Sequence, residues 1–186
     1  MPDEMRISFT LNGTQRTAMI KSRHTLADVL RDEFGCTGVH LGCEQGVCGA
    51  CTVVFNGRTA RACLLLGVQA DGASIVTIEG MPSETGELHL LQQTFSSAHG
   101  LQCGFCTPGM IITAAELIHE VPAPTETQIR EALSGNLCRC TGYANIVLAV
   151  RRAAEAGGPD RGTSWPEGAS GLSDDAAQSH GGAPDD

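Results

Sequence analysis

Cys43, Cys48 and Cys51 stand in a C-x₄-C-x₂-C spacing, and Cys63 follows twelve positions after Cys51. Thiolates so spaced are the plant-type arrangement for a [2Fe–2S] cluster. The glycines between and before them, Gly35, Gly38, Gly42, Gly46 and Gly49, let a loop wrap tightly, reach φ > 0 and bring backbone N–H groups near cluster sulfurs. A structural zinc site is the competing reading. Zinc sites usually use two compact ligand pairs, whereas here three ligands crowd one glycine loop and the fourth is distant. The spacing favours iron–sulfur.

A second quartet follows: Cys103 and Cys106 as C-x₂-C, then Cys138 and Cys140 as C-x-C. Its spacing alone leaves zinc and iron–sulfur both open. The surroundings add something. Cys106-Thr107-Pro108-Gly109 and Cys140-Thr141-Gly142-Tyr143 are two copies of one junction, in which a helix ends, paired cysteines appear, and a new helix begins. Thr107 is expected as N-cap with Pro108 in the first helical position. Two such hairpins in a four-helix bundle would gather Cys103, Cys106, Cys138 and Cys140 at one end, with two helix N-termini aimed at them. An anionic (Cys)₄ centre is stabilised there by free N–H groups and the positive end of the helix dipole.

Cys36 is left over, and is expected to be a small buried hydrophobe. His40 lies near the first loop and is expected to make a structural hydrogen bond. No C-x-H pair suggests a Rieske site, and no catalytic triad, paired carboxylate site or phosphate loop is present. The residues speak for a chain that carries electrons and makes no bonds of its own.

The elements that must position these thiols read as follows. Ile7, Phe9 and Leu11 alternate with Ser8, Thr10 and Asn12 as in a half-buried strand; Asn12-Gly13 turns it into a hairpin. Thr25 caps a helix whose Leu26, Val29, Leu30 and Phe34 share a face, and Gly35 stops it. Thr52–Phe55, Asn56-Gly57 and a return strand bearing Cys63 near its end form a second hairpin, and 74–78 is a last strand. At Met81-Pro82-Ser83 the period changes to helical. Helices are expected at 88–99, at 108–120, from a capping box at Thr125–Gln128 to Ser134, and one that carries Ile146, Leu148, Ala149 and Val150 to about Ala156. The fold class is therefore α+β: a β-grasp domain at 1–80, an all-α four-helix-bundle domain at 81–157, and a disordered acidic tail at 158–186 that contains Trp165.

With 41% hydrophobic residues, the 186-residue chain affords a packed core. The longest apolar run falls short of the roughly 20 residues a membrane span needs. A net charge of −9 and a single lysine, Lys21, exclude a nucleic-acid surface. The first residues lack a basic region and an apolar stretch, so a cytoplasmic protein is expected. An odd cysteine count in that setting points to metal ligands over disulfides.

Three stretches in order, GCEQGVCGACTV at 42–53, QCGFCTPGMI at 102–111 and GNLCRCTGY at 135–143, closely resemble the small iron–sulfur subunit of molybdenum hydroxylases. That group includes xanthine dehydrogenase, carbon monoxide dehydrogenase and the N-heterocycle hydroxylases. The resemblance implies two [2Fe–2S] clusters, the first on Cys43, Cys48, Cys51 and Cys63 and the second on Cys103, Cys106, Cys138 and Cys140. It implies partners: a large molybdopterin-binding subunit near the second cluster, a medium FAD-binding subunit toward the first, and a dimer of such heterotrimers. Gln102 and Cys140 are then expected to touch the pterin. A free-standing ferredoxin-like carrier is the alternative, disfavoured by the helical half, and a zinc-stabilised module is the third reading.

Overall fold

The computed structural model describes residues 4–81 and 86–157. The expected tail, with Trp165, lies outside the described residues, as does most of the expected domain junction.

Alternation does build the first hairpin. Strands β1 (Glu4–Leu11) and β2 (Thr14–Lys21) pair antiparallel with Ser8 opposite Thr17. Asn12 and Gly13 turn the chain at φ 50° and 76°, the left-handed pair that a type I′ turn requires. Thr25 then exchanges hydrogen bonds with Asp28 in a capping box that opens α1 (Leu26–Asp28). The helix does not run on as α. It widens into a π-helical turn, Val29–Glu33, before Gly35 reverses the chain at φ 68°. Apolar periodicity over two turns does not separate a 3.6-residue turn from a slightly wider one.

Strands β3 (Thr52–Phe55) and β4 (Arg58–Arg61) form the second hairpin around Asn56 and Gly57, at φ 49° and 82°. Strand β5 (Ser74–Val76) runs parallel to β1 and antiparallel to β3, which gives the sheet order β2-β1-β5-β3-β4. Ile7, Phe9, Leu26, Leu30, Val53 and Ile75 fill the core between the sheet and α1. Phe34 meets Phe9 edge-on at 5.3 Å. Cys36 is buried in this same core, as a small hydrophobe would be. One expectation fails here: β4 stops at Arg61, and Cys63 sits in the turn after it. It is held by burial and not by the ladder.

Among the described residues, four helices share a second core: α2 (Leu90–Ser97), α3 (Thr107–Glu120), α4 (Glu126–Ala132) and α5 (Ala144–Gly157). Leu91, Phe95, Met110, Ile129, Ile146 and Val150 lie at its centre. The Thr125–Gln128 capping box starts α4 as its sequence requires. Thr107 differs from expectation. It stands inside the first turn of α3, its Oγ1 is buried without a hydrogen-bond partner, and Cys106 takes the cap position. Helix α3 also packs on β3 and β4, so the two cores meet along it.

Candidate metal centres

The first quartet forms where the glycine loop folds back on itself. Gly46 and Gly49 take φ 74° and 73°, which turns the intervening N–H groups inward. The N–H groups of Cys48 and Gln45 donate to Cys43 Sγ at 3.3 and 3.4 Å. Those bonds, the Cys48 N–H first, bring the Cys43 thiol down to about 7. Gly38 and Gly42 keep ordinary φ. Their reason is space, since a Cβ on Gly38 would run into Ile78 and one on Gly42 would lie 3.1 Å from the Phe105 ring. Cys51 and Cys63 face each other deeper in the fold, 2% and 7% exposed. Burial, with the neighbouring Cys63 thiol, pushes Cys51 up to about 11. A thiol so raised keeps its proton at neutral pH unless a metal ion takes its place.

The second quartet is assembled from helix ends. Cys103 and Cys140 are exposed, with their sulfurs 3.5 Å apart. Cys106 is buried against Cys138, and burial pushes it up to about 12. Burial also acts to raise Cys138, but the Thr141 hydroxyl at 3.1 Å and the N–H of Thr141 at 3.4 Å outweigh it and the net shift is downward.

The eight expected thiols meet in pairs: Cys43 with Cys48, Cys51 with Cys63, Cys103 with Cys140, Cys106 with Cys138. Among the described residues no set of three or more His, Cys, Asp or Glu side chains converges as the ligands of one ion would. A pair of thiols is what each of two adjacent irons would take. Gln102 is exposed beside Cys103.

The quartets are not isolated from each other. Leu137 N–H donates to Cys48 O at 2.8 Å, which links the two cysteine loops main chain to main chain. Gly49 and Gly109 make the approach possible: a Cβ on Gly109 would overlap the carbonyl of Gly49, and one on Gly49 would overlap the carbonyl of Gly135.

Comparison with known proteins matches residues 9–73 to a 2Fe-2S iron-sulfur cluster binding domain and residues 77–151 to a [2Fe-2S] binding domain. The chain is 51% identical to the nicotine 6-hydroxylase small subunit of Paenarthrobacter nicotinovorans, over 80% of this chain and 88% of that one. It is 49% identical to the nicotinate dehydrogenase small FeS subunit of Eubacterium barkeri, over 82% and 97% of the two chains. A chain of quinoline 2-oxidoreductase from Pseudomonas putida 86 superposes with a TM-score of 0.80 at 51% identity, covering 83% of this chain and 96% of that one.

The chain belongs to the small iron–sulfur subunits of the molybdenum hydroxylases.

In this iron–sulfur subunit other residues hold the second cysteine loop and tie the two halves together. Tyr143, at φ 68°, closes the second loop: its OH accepts from Cys138 N–H at 2.8 Å and donates to Asn136 O at 3.1 Å. Its being the only tyrosine of the chain, within the last matched stretch, was the available hint. His40 makes the structural contact expected of it, but across the two halves. Its Nδ1 lies 2.7 Å from Phe105 O and its ring stacks on Phe105 at 4.8 Å. Thr59 donates from its N–H and hydroxyl to the Glu116 carboxylate, again between sheet and α3. Among the described residues no helix is long and apolar enough to cross a membrane.

Proposed function

We propose that the subunit holds its two [2Fe–2S] clusters on the two cysteine quartets and relays electrons within a molybdenum hydroxylase. Cys43 and Cys48 would share one iron of the first cluster, and Cys51 and Cys63 the other. In the second cluster the pairs are Cys103 with Cys140 and Cys106 with Cys138. When bound, each cluster accepts and passes on one electron. The residues around it supply the rest. Main-chain N–H groups at Cys43 and the Thr141 hydroxyl at Cys138 favour the thiolate forms that iron requires. Burial of Cys51 and Cys106 would keep water from the iron that each holds.

The pairwise convergence of eight thiols carries this reading. The source and destination of the electrons follow from the family. Cys103 and Cys140 are the exposed end of the second quartet, and this end faces the molybdopterin of a large partner subunit, with Gln102 and the Cys140 sulfur touching the pterin. The first quartet looks toward the FAD of a medium partner subunit, and the three chains form a dimer of heterotrimers in the cytoplasm. On this reading residues 1–80 are a β-grasp domain and 81–157 a four-helix bundle.

Purification of the native complex tests it. Iron and acid-labile sulfide should be found in equal amounts on this chain, and molybdenum and FAD on chains that co-purify with it. A colourless, zinc-containing chain would refute the cluster assignment, and a brown chain that migrates alone would return the free carrier.

A further inference from the structure

The buried amide of Asn136 is used by neither quartet directly, yet it touches the supports of both. It is 1% exposed. Its Nδ2 donates to Gly49 O at 3.0 Å and, at 3.4 Å, to Thr52 Oγ1. Its Oδ1 accepts from Thr113 Oγ1 at 3.1 Å and from Arg61 Nη2 at 3.5 Å. Arg61 in turn bonds Thr52 Oγ1 and, at 2.7 Å, Gly135 O. The donors and acceptors of the amide are thereby all engaged.

The partners' places in the chain give the network its meaning. Gly49 follows Cys48, Thr52 follows Cys51, and Arg61 stands two residues before Cys63. Thr113 lies on the helix that begins beside Cys106, and Asn136 itself stands two residues before Cys138. One side chain thus ties the supports of five cluster cysteines. A buried amide tolerates one arrangement of partners and penalises the others, because any group pulled out of register is left without a bond and without water. Leu137, whose N–H reaches Cys48 O, is the next residue.

We propose that Asn136 is a positioning residue that sets the separation and relative orientation of the two clusters, and so the ease of electron exchange between them. The proposal rests on the cluster assignment above. Both electron exchange and the magnetic interaction between two reduced clusters fall steeply with separation, so a slackened joint is readable even when both clusters remain bound.

The test is Asn136→Ala in the intact complex, with iron and sulfide analysis and EPR spectra of the fully reduced protein. The expected result is unchanged iron and sulfide, unchanged g values for each cluster, loss or narrowing of the splitting between the two signals, and turnover lower by about tenfold. Thr113→Val, which removes one bond to Asn136 Oδ1 and keeps the side-chain shape, should narrow the splitting less. It decides the matter if Asn136→Ala does not fold. Arg58→Ala, at an exposed ion pair with Glu120 across the same interface, should leave the splitting as it is. A lowered melting temperature with wild-type splitting in both Asn136→Ala and Thr113→Val would overturn the proposal and leave Asn136 a purely structural residue. Absence of iron in the unmutated chain would instead overturn the cluster assignment.

Discussion

Cys43 rests on main-chain N–H groups from Gln45 and Cys48, whereas at Cys138 a side chain joins the main chain: the Thr141 hydroxyl stands beside the Thr141 N–H at its sulfur, and the Tyr143 OH holds the Cys138 N–H. The same demand, donors aimed at sulfur, is met in the β half by main-chain N–H groups and in the helical half by a main-chain N–H with a hydroxyl beside it. The two devices differ in what they tolerate. A main-chain donor survives replacement of its own side chain but requires glycines where the loop bends. A side-chain donor is lost with one substitution.

Substitution of a buried thiol should break the comparison most completely. Cys51→Ala should abolish the EPR signal of the first cluster and leave the second, and Cys106→Ala should do the reverse, with iron and sulfide analysis as the check. If either variant loses both signals, the halves do not hold their clusters independently.

The glycine device comes next. Gly49→Ala forces a left-handed residue and a clash with Gly135 O, and should cost about 3 kcal/mol in denaturant unfolding. Gly13→Ala, also left-handed but facing open space, should cost only about 1 kcal/mol.

The hydroxyl device is smaller in scale. Tyr143→Phe removes both bonds of its OH, and should destabilise the subunit by about 1–2 kcal/mol while shifting only the second EPR signal. Gln45→Ala, which deletes an exposed side chain and keeps the N–H, should leave the first signal untouched. The least effect belongs to Arg58→Ala: its pair with Glu120 at 3.3 Å is exposed on both sides and should contribute about 0.5 kcal/mol or less to unfolding.

What the sequence disclosed about this molecule was local. Asn12-Gly13, Asn56-Gly57, the Thr25 cap and the Thr125 capping box carry their signals within a few residues, and each stands where it was expected. Cys63 shows the limit of such reading, since the end of β4 was set by pairing with β3 and not by the run of residues after it. Thr107 shows another: a threonine before proline reads as a cap, but the preceding turn of chain supplied Cys106 instead. What stayed hidden were contacts between residues far apart. Thr59 and Glu116 are separated by 57 positions, His40 and Phe105 by 65, and Gly49 and Asn136 by 87. Nothing around any of them marks the partner, so a buried Asn and a surface Asn look alike in the chain.

The contact between Gly49 and Gly109 also bears on how this subunit can be recombined. A hybrid that joined the β half of one relative to the helical half of another would be cut near residue 80, where the chain crosses between cores. Its success would be decided elsewhere. The graft would close only if the donors brought a residue without a side chain to both sides of that contact, and a partner for the Asn136 amide. Interchangeable parts in this molecule are therefore defined by a matched seam, with the connecting peptide a secondary matter.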